Sequence, residues 1–89
     1  MSEYTGAHLK VVSVMFRKRI TGAHHKQRQT IKGWCSPYEG DILDAAIDDL
    51  ITDGMIHEKG RGTIQLSSLQ AGENFLKRHD TDGEYTWFY

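Results

Sequence analysis

The chain has one cysteine, one proline, and no apolar stretch that runs far without a Lys, Ser or Arg. A lone Cys35 cannot close an intramolecular disulfide, which points to a reducing, cytoplasmic setting. Runs this short cannot build a transmembrane helix, so no membrane partner is expected. The opening MSEYTGAHLK has no basic stretch followed by an apolar run, and no signal peptide is expected. No nucleophile elbow, phosphate-binding loop or dinucleotide fingerprint is present, which argues against an enzyme and against a cofactor. His8, His24, His25, His57, His79 and Cys35 are scattered, with no pair at zinc-ligand spacing, so no metal site is expected. Repeats and low-complexity tracts are also missing.

What is present suits one small domain over residues 1–89, with 38% hydrophobic and 26% charged residues. A core this small implies modest stability unless the chain dimerises. The net charge of −1 conceals a strong asymmetry. Residues 1–38 hold seven Lys or Arg against one acid, whereas residues 39–89 hold four against eleven. Such a chain can present a basic face to a phosphate backbone although its sum is near zero.

Leu9, Val12, Met15, Phe16 and Ile20 recur at helical spacing and predict a first helix over residues 8–20, ended by Thr21-Gly22. Val11 and Val14 widen its buried face. The polar, basic segment 24–32, anchored by Ile31 and Trp34, reads as a loop leading into a short second helix. Ser36, Pro37 and Glu39 form a capping-box signature for a third helix with Leu43, Ala46, Ile47 and Leu50 inward, stopped at Gly54. Residues 55–67 alternate around Lys59-Gly60-Arg61-Gly62 and predict a β-hairpin with Ile56, Ile64 and Leu66 buried. A fourth helix follows over residues 68–78, with Leu69, Gly72, Phe75 and Leu76 inward.

The stretch from Leu43 to Leu66, with Leu50, Gly54 and Ile56 at the helix end and strand start, resembles the recognition helix and wing of winged helix-turn-helix regulators of bacteria and archaea. Ile64-Gln65-Leu66-Ser67, then Gly72 and Phe75-Leu76, is similar to the wing exit and last helix of that superfamily. The resemblance covers residues 36–77 best. It implies an α+β fold with a three-helix core, a two-stranded wing and a C-terminal helix. It also implies duplex DNA as partner and transcriptional regulation as role.

Two surfaces compete for that role. His25, Lys26, Arg28 and Lys32, with Lys59 and Arg61 at the wing tip, are candidates for phosphate contact, while Gln29, Ser36, Tyr38 and Thr63 can add hydrogen bonds. Against this, the third helix exposes Asp41, Asp44 and Asp48, which phosphates repel. The alternative is therefore a docking module whose acidic face engages a basic protein. The first helix, the fourth helix and the tail residues Tyr85, Trp87, Phe88 and Tyr89 offer more apolar surface than a small core needs. Either the tail folds back, or a homodimer forms, and the dimer is the preferred expectation.

Overall fold

The computed structural model describes residues 4–35, 38–60 and 62–80. They form, in order, α1 (Gly6–Arg17), β1 (Lys26–Gln27), α2 (Arg28–Trp34), α3 (Gly40–Thr52), β2 (Ile56–Glu58), β3 (Thr63–Leu66) and α4 (Leu69–His79). The described residues are thus α+β, with four helices and one antiparallel sheet of order β1-β3-β2. Among the described residues no helix is long and apolar enough to cross a membrane.

Helix α1 begins where the Thr5 amide donates to His8 Nδ1 at 2.9 Å, the side-chain half of a capping box with histidine in the third position. Val11, Val12, Ser13, Val14 and Met15 are all buried, so α1 is enclosed on more than one side, by α3 and α4 above all. It stops earlier than its apolar spacing predicts. The Ile20 amide bonds the Met15 carbonyl (2.9 Å) and the Arg19 amide the Phe16 carbonyl (3.1 Å), a Schellman closure with Arg19 at φ 55°. Ile20 is left outside the helix but buried, and its carbonyl accepts the Leu66 amide at 2.8 Å. That bond fastens the end of α1 to the central strand.

The segment expected to be a loop contains β1. Lys26 is registered on Ile64 and Gln27 on Thr63, so the hairpin gains a third strand. Both β1 residues are exposed, and its pairing is a matter of backbone alone. The start of α3 also differs from expectation. Glu39 is the N-cap, with extended backbone and no side-chain cap, and does not occupy the third helical position of the expected box. The Tyr38 amide bonds the Cys35 carbonyl (3.2 Å), ahead of the N-cap at Glu39. Ser36 and Pro37 lie outside the described residues.

The far end of α3 follows the sequence reading. Gly54 sits at φ 82°, the Met55 amide bonds the Leu50 carbonyl (2.9 Å), and β2 begins at once. Leu43, Ala46, Ile47, Leu50, Ile56, Ile64 and Leu66 are all buried, joining α3 and the hairpin to α1 in one core. In α4, Ser68 Oγ accepts the Ala71 amide (3.0 Å), a capping bond of the usual kind. Gly72 lets α4 approach closely, since a Cβ there would lie 3.1 Å from Leu66 Cδ1 and 3.3 Å from Phe16 Cδ1. Among the described residues Ile42 is the one exposed large hydrophobic, so the apolar surplus that suggested a homodimer through the first and fourth helices is not found there. The aromatic tail lies outside the described residues.

Two glycines separate backbone strain from helix propensity. Gly54→Ala forces a Cβ into the left-handed region and should cost about 1–2 kcal/mol, lowering the melting temperature by about 4–8 °C per kcal/mol. Gly33→Ala, inside α2 with no atom within 4 Å of the new Cβ, should instead stabilise by about 0.5–1 kcal/mol. Thermal melts of the two variants should move in opposite directions.

Candidate nucleic-acid interface

Arg28 and Lys32 are four residues apart on α2 and share a face, as do Asp44 and Asp48 on α3. The two faces meet. Arg28 reaches Asp48 Oδ1 at 2.6 Å and Asp44 Oδ1 at 3.6 Å, and Lys32 Nζ bonds Asp44 Oδ2 at 2.9 Å. Asp44 therefore bridges both cations. The like-charge repulsion expected between Asp44 and Asp48 is offset by this pairing, and the two strongest candidates for phosphate contact on α2 carry internal counter-ions.

The other flank of α3 is tied to the start of α1. His8 is buried, and its Nδ1 accepts the Thr5 amide, so the ring proton belongs on Nε2, which faces Asp49 Oδ2 at 2.8 Å. Tyr4 donates its phenol to Asp53 Oδ2 at 2.5 Å. That hydrogen bond, with burial and the charges of Asp53 and Asp49, pushes the Tyr4 phenol up to about 12. Tyr4 also stacks edge-on against Phe75 and His79, at centroid distances of 4.8 and 4.7 Å. Burial, helped by the neighbouring Arg78, lowers the His79 pKa. Asp41 makes no such pair and stands in the first turn of α3, where a carboxylate favours the helix dipole.

A different set of basic residues has no carboxylate partner among the described residues: the cations Arg19, Lys26 and Lys59, with His24 and His25 between the first two. All five are exposed. Lys18 lies just before them, with Nζ 4.4 Å from the centre of the Trp34 ring. The run 18–26 connects α1 to β1, while Lys59 lies at the end of β2. Lys18 and Arg19 are not among the sequence candidates, since the spacing that predicts a first helix over residues 8–20 places both inside it. The signal that would have found them is their nearness in sequence to His24-His25-Lys26.

The remaining candidates divide. Gln29 is exposed on α2, and Thr63 is half-buried in β3 opposite Gln27. Tyr38 is half-buried and packs against the core, which removes most of its face from any ligand. Ser36 and Arg61 lie outside the described residues. The Arg28 amide donates to the Gly62 carbonyl at 2.6 Å and fixes the start of α2 to the wing. Between them runs an open groove of about 410 Å³ lined by Gln27, Arg28, Gln29, Lys32, Asp44 and Gly62. Cys35 is fully buried, and burial pushes its thiol up to about 11, partly opposed by Lys10. It behaves as a small hydrophobe with no thiolate to offer at neutral pH.

No protein-family model, curated protein or solved structure matches the chain.

The Tyr4–Asp53 bond makes a pH prediction. The fold favours the neutral phenol, so this stabilisation is fully present below the ordinary value of 10.0 and is lost as pH rises through about 12. Urea titrations at pH 9 and at pH 11.5 should show a larger alkaline loss in the native chain than in Tyr4→Phe. Equal losses would mean that the phenol does not meet Asp53 in solution.

Proposed function

We propose that the chain is a small winged-helix protein that binds duplex DNA and acts as a transcriptional regulator by occupancy. The element order supports the fold: α1, β1, α2 and α3, then a β2–β3 wing that pairs with β1, then α4. The observation that carries the function is the set of unpartnered exposed cations. Arg19 and Lys26, with the exposed His24 and His25 between them, precede the groove residues in sequence, and Lys59 follows β2 on the wing. Phosphate contact needs cations free to release the counter-ions of DNA, and these residues have no protein carboxylate to give up. The acidity of α3, the chief objection from sequence, is partly offset, because Asp44 and Asp48 already pair with the cations Lys32 and Arg28.

The rival reading, a basic protein docked on Asp41, Asp44 and Asp48, retains one supporting observation. Ile42 is 49% exposed beside the unpaired Asp41. It supplies an apolar contact on α3 that duplex DNA would not need.

Titration of a mixed-sequence duplex at about 50 and 200 mM salt decides between them. The DNA reading expects binding that falls steeply with salt, and Lys26→Ala or Lys59→Ala should each weaken it evenly across sequences and flatten the salt slope by about 0.9. Arg19→Gly should weaken binding likewise. By relieving a side chain at positive φ, it should also stabilise the fold by about 0.5–1 kcal/mol. No duplex binding at low salt, together with capture of a basic peptide that Asp44→Lys with Asp48→Lys abolishes, would select the docking reading.

A further inference from the structure

We propose that the groove between α2, α3 and the wing is a phosphodiester site held shut by its own counter-ion, where an incoming phosphate takes the place of Asp48 on Arg28. This rests on the duplex-binding reading and states how that binding is regulated. The Arg28 guanidinium carries five N–H donors. Its two terminal nitrogens are engaged by Asp44 and Asp48, while Nε is buried and makes no hydrogen bond within the protein. Nε and a terminal nitrogen form the edge that a phosphate grips with two oxygens. That edge belongs to a residue lining the groove, and the groove's other cation is Lys32.

The pair is unequal. The Arg28 side chain is 24% exposed, with its backbone pinned to the wing by the Gly62 bond, whereas Asp48 is 65% exposed. Exposed ion pairs of this kind are weak, so Asp48 is the partner that leaves at small cost. Asp44 is held by Lys32 as well and stays in place to position the guanidinium. Exchange of one anion for another also has a thermodynamic signature. In the native chain Arg28 gains a phosphate and Asp48 regains a cation from solution, so this contact adds little to the net counter-ion release. With Asp48 neutralised, the contact adds a full increment.

Duplex binding should therefore be measured over a salt series for the native chain, Asp48→Asn, Asp41→Asn, Arg28→Ala and the Arg28→Ala, Asp48→Asn double variant. Asp48→Asn should tighten binding about three- to tenfold at low salt and steepen the salt slope by about 0.9. Asp41→Asn removes the same charge from an unpaired acid of α3 and should give much less. The gain should disappear when Arg28 is alanine. A gain equal to that of Asp41→Asn, or one that survives Arg28→Ala, overturns the proposal while leaving duplex binding intact. If no variant binds duplex, the duplex reading fails by itself, and pyrophosphate then tests the groove. A shift of the Arg28 Nε–H resonance on pyrophosphate addition, larger in Asp48→Asn than in the native chain, keeps the anion site. Absence of that difference overturns it.

Discussion

Helix α1 is apolar on too many sides to lie at a surface, and burying it organises the other elements. With residues 11–15 all sequestered, α3 and α4 must pack on it from different directions, and the sheet must cover what they leave. The bond from the Leu66 amide to the Ile20 carbonyl then holds β3 against the end of the helix. Burial of this kind supplies most of the folding free energy, but it is tolerant of small slides between helices. Something else must fix where α2 lies along α3.

The carboxylates of α3 do that. Arg28 and Lys32 on one helix match Asp44 and Asp48 on the other with the same four-residue interval, so a slip by one turn would leave a cation and an acid without partners. On the opposite flank Asp49 and Asp53 do the same for His8 and Tyr4 at the start of α1. Individually such pairs are weak. Together they specify register, and they make one flank of a helix that reads as an acidic display surface the counter-ion of α2.

Much of the fold was legible because it is written in local patterns. The inward face of α3, the stop at Gly54 and the alternation of Ile64 and Leu66 each need only neighbouring residues to be recognised. Strand β1 was not legible: Lys26 and Gln27 are polar and exposed, and nothing in their side chains marks a strand that pairs through its backbone. The early end of α1 was not legible because the left-handed residue that closes the helix is Arg19, while Gly22, also at positive φ, lies three residues beyond it. For the site, the exposure of His25, Lys26, Gln29 and Lys59 was readable. The engagement of Arg28 and Lys32 was not, since their partners lie 20 and 12 positions away and no local spacing connects them.

Those separations have a consequence for the chain while it is being made. The basic half emerges from the ribosome first, and its acids come later. At about 5–20 residues per second, the 20 positions between Arg28 and Asp48 amount to about 1–4 s of synthesis. Tyr4 waits longer still for Asp53, 49 positions on. For that interval Arg28 and Lys32 have neither of their α3 partners. Until α3 has been made, Arg28 and Lys32 lack the carboxylates that set the register of α2, so α2 is fixed in place only after the acidic half has been synthesised.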